Sequence, residues 1–198
     1  MRNKMGTTIG WVLAASVGIA TASAQTTWKI DPAHSEADFA VKHMGISTVH
    51  GHFGNVNGTL TMDSADITKS AVNATVDTTT VDTGVAQRDG HLKSPDFFEV
   101  AKYPTMTFVS KQFKKVDGKL QVIGDLTIHG VTKSVTLDVE GPSKEQLDPY
   151  GKTRIAASMT TSIHRQDFGL VWQGQLKSGD VVVGDDIKVE LDVEFVKQ

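Results

Sequence analysis

Four short stretches of this chain carry residue types that could do chemistry. In His50-Gly51-His52 two imidazoles stand two residues apart, so in a strand they project from one side. With a third donor such as His43 or His34 that spacing could ligate a metal. Isolated histidine pairs on strands are nevertheless common, and no dense ligand motif such as His-Glu-x-x-His is present, so no metal is expected. His34-Ser35 pairs a base with a hydroxyl, but adjacent strand residues point to opposite faces and cannot act as nucleophile and base. Arg88-Asp89-Gly90-His91 offers the best candidates for general acid–base work, with His91 as the proton carrier. In His164-Arg165-Gln166-Asp167, the arginine and aspartate are two apart. In a strand they would share one side and form an ion pair reaching toward the Arg88–His91 cluster. His129 falls in a tight turn and is expected to be exposed. There is no Gly-x-Ser-x-Gly elbow, no phosphate-binding loop and no dinucleotide fingerprint, so no cofactor is expected. The absence of cysteine excludes a thiol nucleophile and a Cys-ligated metal centre.

The boundaries of the chain narrow its setting. Arg2 and Lys4 precede a charge-free apolar run from Ile9 to Ala20 that ends in Ala22-Ser23-Ala24, the pattern of a secretory signal peptide. A spanning helix would need about 20 apolar residues. Cleavage is expected after Ala24, leaving residues 25–198 as one domain, exported to the periplasm of a Gram-negative host and large enough to bury a core without disulfides. The formal charge is −3, and loss of Arg2 and Lys4 makes the mature chain more acidic still. A nucleic-acid partner would want a basic face, and here lysines and acidic residues are interspersed. No later segment is apolar enough to span a bilayer as a helix.

The elements that must position these residues are strands. From Ile187 to Phe195 every second residue is apolar and the intervening ones are charged, which predicts a half-buried strand. The same period recurs at Ala37/Phe39/Val41, Leu60/Met62, Val72/Ala74/Val76, Met106/Phe108, Leu120/Val122 with Leu126/Ile128, and Val131 to Val139. Turn signals fall at Asn57-Gly58, Asp117-Gly118 and His129-Gly130, with a longer polar loop from Gly141 to Gly151. Roughly eight neighbouring strands with one apolar face do best by closing into an antiparallel barrel, whose interior side chains either fill or share with one small ligand. The single helix is expected between Ala86 and Val100, with Ser94 capping and Pro95 at its first position, preceded by a turn through Asp89-Gly90.

Over nearly its whole mature length the chain resembles the YceI family of exported lipocalin-like proteins. The resemblance rests on Trp28-Lys29-Ile30-Asp31-Pro32-Ala33-His34-Ser35, Phe39-Ala40-Val41-Lys42-His43-Met44-Gly45, Gly51-His52-Phe53, Arg88-Asp89-Gly90-His91-Leu92, Phe97-Phe98 and Lys102-Tyr103-Pro104-Thr105. It continues through Gly124-Asp125-Leu126-Thr127-Ile128-His129-Gly130-Val131-Thr132 and Arg165-Gln166-Asp167-Phe168-Gly169-Leu170. It implies an all-β, eight-stranded antiparallel lipocalin-like barrel with a short helix near one mouth. It also implies a long apolar pore for a polyisoprenoid, such as an isoprenoid quinone, or another long-chain amphiphile, no known reaction, and a homodimer as one possible assembly. His34 is then a structural residue near the start of the barrel. His50 and His52 stand where the family is variable, so they inherit no role.

Together these readings make the protein a periplasmic binding, transport or storage protein rather than an enzyme. The expected ligand contacts are Phe39, Val41, Phe53, Phe97, Phe98, Met106, Phe108, Met159, Phe168 and Trp172 along the pore, with Arg88, Asp89 and His91 at its mouth. Phe97 and Phe98 fit either a lid or a plug, and Arg88 and Asp89 either a head-group site or a structural pair. The alternatives are an enzyme acting on lipids through His91, Asp89 and Arg88, and a filled barrel acting through its surface as a stress-response interaction protein.

Overall fold

The computed structural model describes residues 25–174, 176–179 and 181–198. The leader and its cleavage site lie outside them. Eleven strand segments form one antiparallel sheet: β1 (Gln25–Ile30), β2 (Glu36–His43), β3 (Ser47–Phe53), β4 (Asn57–Asp63), β5 (Ala71–Asp77), β6 (Thr105–Val116), β7 (Lys119–Ile128), β8 (Val131–Glu140), β9 (Gln146–Leu147), β10 (Thr153–His164) and β11 (Val183–Lys197).

Closure depends on β11. One edge pairs with β10 from His164↔Asp186 to Arg154↔Val196. The other takes β2 from Val183↔His43 to Asp192↔Glu36 and then β1 from Phe195↔Ile30 to Lys197↔Trp28. Thus β1 and β2 share one place beside β11. Since β4 flanks β1 and β3 flanks β2, these two share the next. With β5, β6, β7, β8, β10 and β11 the closed barrel has eight strand positions, β8 meeting β10 over Ser158↔Glu140 to Thr160↔Asp138. The corner between β1 and β2 would leave a β11 amide without a ladder partner. Ser35 supplies one, its Oγ accepting from the Glu194 N–H at 3.0 Å, while the Asp31 N–H donates to the Glu194 carbonyl at 2.9 Å.

The alternation read in β11 is realised: Ile187, Val189, Leu191, Val193 and Phe195 line the interior. Asp117-Gly118 and His129-Gly130 form the β6–β7 and β7–β8 hairpin turns, with φ of 50° and 79° in the first and 51° and 75° in the second, as mirror-image turns require. Asn57-Gly58 is no turn. Both residues pair within β4, opposite Thr75 and Ala74, and a Cβ on Gly58 would lie 2.2 Å from the Asn73 carbonyl oxygen. The glycine there permits close strand approach.

The helix also differs from expectation. α1 (Ala86–Leu92) runs through Asp89-Gly90 instead of stopping there, and Ser94-Pro95 lies beyond its end. Its start has no side-chain cap on the preceding residue; Asp89 reaches back one turn to accept from the Thr83 N–H at 2.9 Å and hydroxyl at 2.5 Å. That clasp replaces the Ser94 cap, and the Ser94 hydroxyl instead donates to the His91 carbonyl at 2.7 Å. Among the described residues no helix is long and apolar enough to cross a membrane.

At the barrel end away from α1, Arg154 is gripped by three carboxylates: Asp31 at 2.6 Å, Asp148 at 2.7 Å and Glu194. The guanidinium, followed by His34, holds the Asp31 carboxyl down at about 2. A carboxyl depressed on folding contributes stability that is complete above its unfolded value near 4 and lost as pH falls through its folded one. The unfolding midpoint should therefore drop between pH 4 and pH 2, this group accounting for about 1 kcal/mol after solvent screening. Asp31→Asn should lower stability at pH 7 and flatten that part of the profile in thermal melts, and an equally steep acid limb in the variant would contradict the assignment.

Candidate functional site

Inside the barrel the inward side chains leave about 1380 Å³ of atom-free space, part of it continuous with solvent at the mouth. The lining is almost wholly aliphatic and aromatic, drawn from nearly every strand. The room is there because inward positions on β5, β7, β8 and most of β11 are Val, Ala, Leu and Ile, while the large rings of Phe39 and Phe108 lie against glycines. A Cβ on Gly51 would fall 2.5 Å from Phe39 Cζ, and one on Gly124 2.5 Å from Phe108 Cζ. Phe39 sits opposite Gly51 on the paired strands β2 and β3.

Of the expected pore residues, Phe39, Val41, Phe53, Phe97, Phe98, Met106, Phe108 and Met159 all line this cavity. Phe168 does not: it is 2 % exposed and packed into the core. Trp172 lines a second cavity above the first. Phe39, Val41, Leu92, Phe97 and Val183 border both spaces and so form the constriction between them. We refer to the outer space as the vestibule and the inner one as the bore.

The stretch from α1 to Tyr103 roofs the mouth, and its two phenylalanines divide the work. Phe98 turns inward, its ring edge-on to Phe53 at 5.2 Å, and Phe53 in turn lies 5.5 Å from Phe39. Phe97 belongs to a roof cluster, 5.3 Å from Trp172, with the His91 ring edge-on to each at 5.0 Å. The pair is therefore part lid and part wall.

Arg88, Asp89 and His91 do not converge on one point. The Arg88 guanidinium donates to the Thr83 hydroxyl at 2.7 Å and carbonyl at 2.9 Å, Asp89 accepts from the same threonine, and His91 Nε2 lies 2.9 Å from Asp96. Arg88 and His91 line the vestibule, whereas Asp89 lines neither space. Asp89 thus anchors the roof, and the acid–base alternative lacks an orienting carboxylate from that residue.

The Arg165–Asp167 ion pair is not formed. Residues Arg165–Phe168 make a 3-10 turn rather than a strand, so a spacing of two no longer means one face. Asp167 is exposed. Arg165 is 4 % exposed and donates to the backbone carbonyls of Leu170 at 2.5 Å, Trp172 at 2.8 Å, Gly184 at 3.0 Å and Val183 at 3.3 Å. Burial pulls its pKa down, opposed by Asp185. These bonds fix the loop that carries Trp172 and place a cation at the bore wall.

The other histidines fall away from the bore. His50 and His52 are exposed on β3. Among the described residues the one group with ligand atoms close enough to share a metal is Asp31, His34 and Glu194, and Arg154 already occupies its two carboxylates. His129 is not exposed as expected. Its side chain is 19 % accessible, 3.4 Å from Glu99, and its ring packs against Tyr103 at 4.6 Å.

Sequence reasoning missed Lys42, His43, Val49 and Thr83 of the vestibule, and many aliphatic bore residues. The bore residues carried a usable signal, since Val72, Ala74, Leu126 and Leu191 continue the period of two. The vestibule residues belong to strand ends and loops, where no period applies.

A closed eight-stranded barrel with an apolar interior and a roofed mouth is lipocalin-like in architecture. The sequence profile of the YceI-like domain matches residues 28–195, and this chain belongs to that family. It is 37% identical over 190 residues to a UPF0312 protein of Vibrio vulnificus (strain YJ016), covering 96% of each chain. Among solved structures, the Campylobacter jejuni YceI protein superposes with a TM-score of 0.66 at 33% identity, over 79% of this chain and 90% of that one. A polyisoprenoid-binding domain from Saccharophagus degradans, implicated in plant cell wall breakdown, superposes with a TM-score of 0.63 at 18% identity, over 87% of this chain and 99% of that one.

The contact of Phe39 with Gly51 shapes the bore just below the constriction, and a methyl at Gly51 would also press the Thr83 side chain, 2.7 Å away. Gly51→Ala should destabilise the protein by about 1–3 kcal/mol through overpacking. Adding Phe39→Leu should recover part of that loss in denaturant unfolding, and fully additive effects would show that the two sites do not press on each other.

Proposed function

We propose that this protein is an exported carrier or store for a polyisoprenoid or a similar long-chain amphiphile, held by apolar enclosure without chemical change. The observation that carries the reading is the bore: a space walled by aliphatic and aromatic side chains inside a closed barrel. Each methylene buried in it contributes about 0.8 kcal/mol, so about ten carbons give on the order of 8 kcal/mol before association costs. No catalytic group is needed for such a role, and the polar residues of the mouth are engaged with Thr83 and Asp96. The polyisoprenoid named for the Saccharophagus domain agrees with this reading, as does the leader expected at residues 1–24, which would deliver the barrel to the periplasm of a Gram-negative cell.

The test is native mass spectrometry of the protein purified from its own envelope fraction, followed by solvent extraction. A long-chain amphiphile released in stoichiometric amount is the expected result. Protein that emerges empty and takes up no added long-chain lipid would instead favour a barrel acting through its surface.

A further inference from the structure

Large apolar side chains left in water gather at one end of this barrel. Among the described residues eight are exposed, and four of them, Ile46, Val85, Val171 and Val181, stand on three loops around the vestibule, Ile46 being 80 % exposed. Their neighbours fix them there. The Ile46 N–H donates to the His43 carbonyl, Val171 and Val181 adjoin Trp172 and Val182, and Val85 stands between Thr83 and Arg88 at the start of α1. The Met44 N–H donates to the Val182 carbonyl at 2.8 Å and ties the β2–β3 turn to the loop before β11. Scattered singly, such residues would call for no account, but on loops that meet around one opening they form an apolar rim. Phe39, Val41 and Phe97 continue that rim through the constriction into the bore.

The side wall has a different character. Across the outward faces of β2, β11, β10 and β8 runs a row of Asp38, Glu190, Thr160 and Asp138, and beside it a row of Glu36, Asp192, Ser158 and Glu140. Burial, followed by the neighbouring Glu36 carboxylate, raises the Asp38 carboxyl above its ordinary value. Lys188 is the cation on β11 next to these rows. The mouth instead carries Lys42, His43, Arg88 and His91 along the vestibule, which no aspartate or glutamate lines, with Lys177 exposed on the loop before β11. Of the carboxylates on neighbouring loops, Asp82 accepts from the Gly84 N–H, Asp96 lies against His91, Asp185 and Asp186 face His164, and Asp167 is exposed. A negatively charged surface is thus repelled by the wall and meets cations and aliphatic side chains together only at the mouth.

Aliphatic side chains at loop tips with lysines beside them suit the boundary between the head groups and acyl chains of a bilayer. A water-insoluble cargo favours the same approach, since a tail that passes through an apolar rim seated in lipid never crosses water. We propose that the barrel docks mouth-first on an anionic lipid bilayer, with Ile46, Val85, Val171 and Val181 entering its interface, and exchanges its amphiphile directly with the membrane. The proposal rests on the apolar-carrier reading and adds the surface on which the carrier works.

The test is flotation of the mature protein with vesicles of phosphatidylcholine alone and of phosphatidylcholine mixed with phosphatidylglycerol. The protein should float with the mixed vesicles and less with phosphatidylcholine alone, and raised salt should narrow the difference. Ile46→Ser combined with Val171→Ser should lower vesicle affinity by about tenfold or more and slow the uptake of a long-chain alcohol from vesicles. The same variant should keep its melting temperature and its affinity for decanol in solution. Leu147→Ser combined with Tyr150→Ser, which removes exposed apolar side chains near the opposite end, should change none of these. Protein that binds decanol but does not float would overturn the docking and leave the carrier reading intact, whereas failure to bind decanol would overturn the carrier reading beneath it. Equal flotation with both kinds of vesicle would overturn the preference for anionic lipid, and equal losses in the two double variants would overturn the mouth as the contact. Protein that stays free of vesicles but forms a dimer lost on Ile46→Ser and Val171→Ser would assign the rim to a second copy of the chain.

Discussion

Closure of the sheet along β11 is the constraint on which everything else depends. A strand with both edges paired from one mouth to the other leaves no free backbone for another chain to join, and it fixes which residues point inward. Because β11 is long enough to take β2 and β1 in succession on one edge, the barrel can be deep as well as closed. The cost of that arrangement is a corner between β1 and β2, and Ser35 and Asp31 satisfy the β11 backbone there. The Arg154 cluster, with carboxylates from that corner, from β11 and from the loop before β10, ties the same end together.

Depth alone would produce a filled core. The interior stays open because the rings of Phe39 and Phe108 lie against glycines and because most of the remaining inward residues are mid-sized aliphatics. The mouth is built by a different principle. There the side chains come from strand ends, α1 and the loop after β10, and polar bonds hold them: Thr83 to Arg88 and Asp89, and Arg165 to four backbone carbonyls. Apolar alternation makes the bore, and buried hydrogen bonding makes its lid.

The parts of this design differed in how plainly the sequence showed them. Strands such as β11, β7 and β8 were legible because one face is wet, which forces apolar and polar residues to alternate. β10 was not seen: Thr153–His164 is rich in Ala, Ser and Thr, residues that serve either face. β3 is masked by Gly51 and two outward histidines. Eight of the expected pore residues line the bore; for Phe39, Val41, Met106 and Phe108 inward facing follows from the period of their strands, whereas Phe97 and Phe98 lie in the roof, outside any strand. Phe168 and Arg165 were misplaced for one reason: a 3-10 turn interrupts the strand pattern, and nothing in Arg-Gln-Asp-Phe announces it. The helix was placed too late because a Ser-Pro pair offers a familiar start, while the Thr83–Asp89 clasp that fixes the actual one links residues six apart. Of the vestibule, Arg88 and His91 were expected at the mouth, whereas Lys42, His43, Val49 and Thr83 were not seen because they gather there only through the fold.

Apolar enclosure is the central claim, and the dependence of affinity on tail length addresses it most directly. Titration with primary alcohols of increasing chain length should show binding that strengthens by about 0.8 kcal/mol for each added methylene, then levels off once the tail fills the bore. Affinity that does not change with chain length would mean that ligands rest on the surface and that the interior of this barrel is not their site.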